Sequence, residues 1–322
     1  MKRRAAWGRT EVGGWFWRRG VFPLLGSLFV LVAGCGGSGA EEEESGSGEV
    51  KVAATITVVQ DLVEQVGGER VEVTTIVPAG GSPETFQPSP SDAGRISEAR
   101  VIFENGMGLE AWLEDLVESA GNDRQTVVEL SRGIEPIEEH EEKEHGHEHA
   151  GGNPHLWLDV KNAERYVERI RDTLIEVDPK GAREYRANAD AYLERLERLD
   201  RYIEEETGTI PEARRKLVTF HDAFPYFAEA YGFEMVGVIL QNPDAEPSSR
   251  EVAEVVRTVE EERVPAVFTE PQFNAGLADT IAQEADVEVY ELYTDTLVKD
   301  EAGDTYEAMM RTNTDRIVEA LG

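Results

Sequence analysis

Residues 181–206 hold no internal glycine or proline, and Tyr185, Ala189, Tyr192, Leu196, Leu199 and Ile203 recur within them at steps of four and three. That period puts all of these side chains on one stripe of a helix. At about 1.5 Å per residue the helix would run roughly 40 Å, the length of a whole lobe. The stripe is too short for the roughly three to four heptads of a coiled-coil dimer. The helix is therefore expected to lie buried within its own chain, as a stiff bridge in a monomer.

On both sides of it, short runs rich in β-branched residues alternate with helical ones. Before it, strands are expected at 50–59, 70–77, 101–104 and 127–130, with helices at 61–66 and 109–119. After it, strands are expected at 217–220, 235–240, 266–269 and 287–292. Helices there fall at 222–231, 250–262, 275–285 and 306–321, with Ser248 and Glu251 spaced as a capping box. Such alternation predicts an α/β protein of two lobes, each a mostly parallel sheet flanked by helices. The lobes would span 50–180 and 211–322, joined by the helix at 181–206.

The first 34 residues are of another kind. Lys2, Arg3, Arg4, Arg9, Arg18 and Arg19 stand against Glu11 alone, a local charge of 6 − 1 = +5, and an apolar run follows over 21–33. A basic start, a short apolar core and small residues describe an export signal. The run falls short of the ~20 apolar residues that span a bilayer. Cys35, the one cysteine in the chain, comes directly after it in a setting that resembles the lipobox of bacterial lipoproteins. Removal of 1–34 and lipidation of Cys35 would leave the protein anchored on the outer face of the cytoplasmic membrane. The Gly/Ser/Glu stretch 35–49 would be a flexible linker. Across the 322 residues, 65 acids against 32 Lys and Arg leave a net charge of −33. That charge excludes nucleic acid as a partner, and a lone cysteine excludes an internal disulfide.

Four segments combine loop positions with metal-capable side chains. They are Pro78-Ala79-Gly80-Gly81-Ser82-Pro83-Glu84-Thr85-Phe86-Gln87-Pro88-Ser89-Pro90, whose prolines and glycines predict an irregular loop after a strand, Asn153-Pro154-His155-Leu156-Trp157, Phe220-His221-Asp222, and Tyr293-Thr294-Asp295 after the last strand. In open parallel sheets, ligands gather beyond the carboxyl ends of the strands, where Glu84, His221 and Asp295 would sit. Asp222 is placed to cap the next helix or, beside His221, to support the site. Glu270 also follows a strand, either as a supporting acceptor for a ligand's N–H or as a capping or solvated residue. A separate acidic stretch, 138–149, carries His140, His145, His147 and His149 and suits a solvated loop with weak, reversible metal affinity.

In this order and at these distances, the segments resemble the zinc- and manganese-binding lipoproteins that feed bacterial ABC importers. The resemblance runs from Cys35 to the end of the chain. It implies two α/β lobes bridged by a rigid helix, with the metal in the cleft and two ligands from each lobe. His155, His221 and Asp295 match three of the ligand positions. Glu84 stands where the family usually has histidine, so the implied set is two imidazoles and two carboxylates. Imidazole suits zinc, whereas added carboxylate oxygens make manganese more acceptable. The His-rich stretch favours zinc as the first expectation. Without Glu84, three ligands and a water would remain, the arrangement of catalytic zinc sites.

The expected function is capture of zinc, or else manganese, and its delivery to a permease and its ATPase. A metal-dependent surface adhesin and a metallohydrolase, with Glu270 as its candidate general base, are the alternatives. The chain carries no nucleophile elbow, no His-Glu-x-x-His helix and no phosphate loop, which disfavours an enzyme.

Overall fold

The computed structural model describes residues 49–122, 124–137, 152–240, 247–273, 276–298 and 303–322. The leader, Cys35, the linker up to residue 48, and His140, His145, His147 and His149 lie outside them.

The first sheet is built from β1 (Val50–Ala54), β2 (Val71–Thr75), β3 (Val101–Glu104) and β4 (Thr126–Glu129), in the order β2-β1-β3-β4. The second is built from β5 (Lys216–Thr219), β6 (Glu234–Val238), β7 (Ala266–Thr269) and β8 (Glu288–Glu291), in the order β6-β5-β7-β8. Every pairing in both sheets is parallel. Each order reverses next to its first strand, and the gap opened there at the carboxyl ends is where such sheets bind ligands.

Helices cover both faces. α1 (Thr57–Gly67), α2 (Pro90–Glu98), α3 (Leu113–Ala120) and α4 (Val160–Val177) accompany the first sheet. α6 (Pro225–Tyr231), α7 (Ser249–Glu262), α8 (Gly276–Ala285) and α9 (Tyr306–Leu321) belong to the second half of the chain, and α5 (Ala182–Thr207) joins the two. Successive strand residues point to opposite faces, and the cores follow that alternation. Val52 and Ala54 face an inner core, while Ala53 faces Ile96, Leu113 and Leu116 under α2 and α3. Leu217 and Phe268 face the same inner core, while Val218 and Val267 face Val255, Val259 and Ile281 under α7 and α8. The inner core is therefore continuous through both lobes, and the six stripe residues of α5 are all part of it.

Several elements differ from expectation. β1 stops at Ala54 and α1 begins at Thr57, earlier than the strand at 50–59 and helix at 61–66 allowed. α2 was not anticipated. Pro90 occupies its first turn and Ser89 with Asp92 forms its capping box, so a proline that suggested loop starts a helix instead. α4 was not anticipated either. Asp222 does not cap α6, because Pro225 sets the helix start and the cap position falls on Phe224. The Ser248–Glu251 capping box is present.

The C-terminal helix ties the halves together. Asp61 on α1 accepts the Tyr306 backbone N–H at 2.9 Å, and the Tyr306 hydroxyl donates to the Trp157 carbonyl at 2.7 Å. Leu196 belongs to the shared core and is fully buried. Leu196→Ala should therefore lower unfolding stability by about 2–5 kcal/mol in chemical denaturation. Arg201→Ala on the exposed face of the same helix should change it by less than about 0.5 kcal/mol. Equal small effects would mean that α5 is not part of the core.

Candidate metal centre

Glu84 lies in the loop after β2. Gly80 holds a backbone φ of +80°, a conformation that favours glycine. Its N–H donates to the Thr296 hydroxyl at 2.7 Å, which ties the loop to the second half of the chain. The Pro83 carbonyl accepts the Trp112 indole N–H at 2.9 Å, which fixes the residue just before Glu84.

His155 precedes a single helical turn ahead of α4 and is 2% exposed. Its backbone N–H and its Nδ1 both face Asn153 Oδ1, at 3.0 and 3.1 Å. His221 follows β5 and is equally buried. Its carbonyl accepts the Thr219 hydroxyl, and its Nδ1 lies 2.7 Å from Glu270 Oε1. A ring nitrogen facing a carboxylate or amide oxygen carries the proton. Both rings therefore turn Nε2 towards one point, where the two Nε2 atoms are 3.1 Å apart.

Two carboxylates complete the cluster. Asp295 Oδ1 is 3.4 Å and Glu84 Oε1 is 3.8 Å from His155 Nε2. Glu84, His155 and His221 each offer a ligand atom within 4.8 Å of the others. Ligands at about 2.1 Å in a tetrahedron lie about 3.4 Å from one another. The distances found here straddle that edge, so the space between these atoms is the size of an ion.

The electrostatics agree. Burial pushes the His221 imidazole down, but the Glu270 carboxylate against it, with Asp295 and Glu84 beyond, lifts it to about 10. Burial also pushes the Asp295 carboxyl up, yet the two histidines beside it hold it below the usual carboxylate range. The carboxylates thus stabilise positive charge at this point, and a bound cation would take the place of the proton on His221 Nε2.

Of the two supporting residues expected, Glu270 lies against the His221 ring. Its Oε1 faces His221, while its Oε2 accepts from Thr294 and, at 2.9 Å, from Gln272. Asp222 contributes mainly its carbonyl, which accepts the Asn153 side-chain amide at 2.6 Å. Asn153, Gln272 and Thr294 were missed as site residues. Their only signal was position, inside the loops that carry the ligands.

Residues 52–320 match the family model described as the periplasmic component A of the zinc-uptake complex. The manganese-binding lipoprotein MntA of Halalkalibacterium halodurans is 40% identical over 298 residues, covering 91% of this chain and 95% of that one. The iron ABC transporter substrate-binding lipoprotein MtsA of Streptococcus pyogenes is 32% identical over 302 residues, covering 92% and 95%. Among solved structures, the manganese-bound periplasmic metal-binding protein of Candidatus Liberibacter asiaticus superposes with a TM-score of 0.76 at 25% identity, covering 85% of this chain and all of that one. A crystal structure of ZnuA superposes with a TM-score of 0.75 at 28% identity and the same coverage. The chain therefore belongs to the zinc-uptake component A family, the solute-binding proteins of bacterial metal ABC importers.

Proposed function

We propose that the chain captures one divalent transition metal between its lobes through Glu84, His155, His221 and Asp295, and hands it to an ABC permease driven by its ATPase. The observation that carries this reading is the convergence of the two buried Nε2 atoms, 3.1 Å apart, with a carboxylate beside them. Two residues from each half of the chain supply the set, so binding depends on both halves being held in register. Lipidation of Cys35 would keep the receptor at the extracytoplasmic membrane surface, with 35–49 as its tether. His140, His145, His147 and His149 would act as a weak auxiliary collector beside the tight site. The members of this family are not enzymes. Glu270, the candidate base for hydrolysis, is engaged on both oxygens. An adhesive role gains nothing from a site that faces inward.

The nature of the ion follows from the donors. Two imidazoles favour zinc, and the two carboxylates make manganese acceptable. The family's zinc-uptake description supports the first ion, and relatives named for manganese support the second. The site takes both. Zinc wins in direct competition, because nitrogen and oxygen donors bind it more tightly than manganese.

His155→Ala and His221→Ala should each abolish tight zinc binding in calorimetry, whereas deletion of 138–149 should remove only weak extra equivalents. Wild-type affinity in either alanine variant would remove that residue from the ligand set. Loss of the tight site on deletion would place a ligand in the His-rich stretch. In the wild type, zinc at about a hundred times its dissociation constant should add about 2.7 kcal/mol to stability, visible as a raised Tm.

Glu84 admits a sharper experiment. Glu84→His should increase the preference for zinc over manganese in competition titrations, because imidazole is the softer donor. Glu84→Gln should weaken both ions. An unchanged ratio and unchanged affinities in these variants would mean that Glu84 does not bind the metal.

A further inference from the structure

Asn153 is 2% exposed and makes hydrogen bonds in two directions. Its Oδ1 faces the His155 backbone N–H at 3.0 Å and His155 Nδ1 at 3.1 Å. Its Nδ2 donates to the Asp222 carbonyl at 2.6 Å, in the segment directly after His221. The amide has only one workable orientation. Turned over, it would set its NH2 against the His155 backbone N–H and its oxygen against the Asp222 carbonyl, losing both bonds to the backbone. With Oδ1 fixed as an acceptor, His155 Nδ1 must carry the ring proton, which leaves the Nε2 lone pair aimed at the cleft.

The backbone around it is fastened to the same neighbours. The Asn153 carbonyl accepts the Tyr226 hydroxyl of α6 at 2.8 Å, and the Asn153 N–H donates to the Ile137 carbonyl at 3.1 Å. Gly152 holds φ at +92°, and a Cβ there would come within 2.8 Å of the Ile137 carbonyl. The chain is thus held close enough for the short side chain to span from His155 to the second half of the protein.

We propose that Asn153 is a positioning residue shared by both halves of the site: one amide selects the ligating tautomer of His155 and clasps the segment that carries His221. A ligand from the first half of the chain and the loop of a ligand from the second then share one rigid group. Loss of the bond to Asp222 would free the side chain that orients His155, so the clasp and the tautomer stand or fall together. This role rests on the metal-receptor reading above, but part of its test needs no metal.

The test uses the full chain, as wild type, Asn153→Ala and Asn153→Asp. The His155 tautomer is read in the metal-free protein by long-range 1H–15N spectra, and zinc release by competition with a chromophoric chelator. The wild type should show a single Nδ1–H tautomer. Asn153→Ala should lose it and bind zinc about 10–100-fold more weakly, the usual penalty for removing a partner of a metal-bound histidine. Asn153→Asp keeps an oxygen towards His155 and should restore the tautomer. It cannot donate to the Asp222 carbonyl, so amide exchange at Ala223 should stay faster than in the wild type.

An alanine variant that keeps both the tautomer and a zinc release rate within about twofold of wild type overturns the proposal. So does an affinity loss accompanied by an unchanged tautomer, which would show general loosening only. If wild type shows the tautomer but takes up no zinc, the metal-receptor reading itself falls, and the positioning role falls with it.

Discussion

A site assembled from two sheets needs a connection between them that does not bend. Each parallel sheet brings loops to the carboxyl ends of its strands, but half a site from each sheet is useless unless the halves stay in register. α5 supplies that register by burying one continuous stripe, from Tyr185 to Ile203, in a core shared by both lobes. α9 reinforces it from the other end of the chain, with its first N–H held by Asp61 of α1. A flexible linker in place of α5 would leave the two pairs of metal-capable side chains to find each other against chain entropy.

With that register in place, the centre concentrates groups that burial alone would disfavour. His155, His221, Glu270 and Asp295 are all at most 2% exposed. Charged groups withdrawn from water persist when they are paired and hydrogen-bonded. Here Glu270 faces His221, Thr294 and Gln272 back Glu270, and Asn153 backs His155. The carboxylates and imidazoles that remain turned towards one another form an anionic, ion-sized gap. The fold thus aims these side chains at one point, which would reduce the ordering that metal binding must offset.

Much of this was legible in the amino-acid order. The stripe of α5 came from spacing alone, and all its predicted positions are buried. The strands of the second lobe fell within a residue or two of their observed limits, because β-branched runs flanked by helical ones leave few alternatives. Metal-capable residues at strand ends marked the site, since the chemistry required those residue types. What was not legible has physical reasons. Strand order depends on contacts between distant residues that no local pattern encodes. Pro90 looked like a loop residue because proline starts helices as readily as it ends them. Asp222 looked like a cap until Pro225 set the helix start three residues later. Asn153 carried no periodicity or motif of its own, and its role exists only because folding brings Asp222 to within 2.6 Å of it.

The central claim is that one ion is held jointly by both lobes, with Glu84 as a direct ligand. A crystal structure of the metal-bound protein, with the ion identified by anomalous scattering, tests it most directly. The account predicts a single ion bonded to Nε2 of His155, Nε2 of His221, an Asp295 oxygen and a Glu84 oxygen, with zinc–ligand distances of about 2.0–2.2 Å. An ion held from one lobe only would contradict it, as would a Glu84 carboxylate turned to solvent with water in its place.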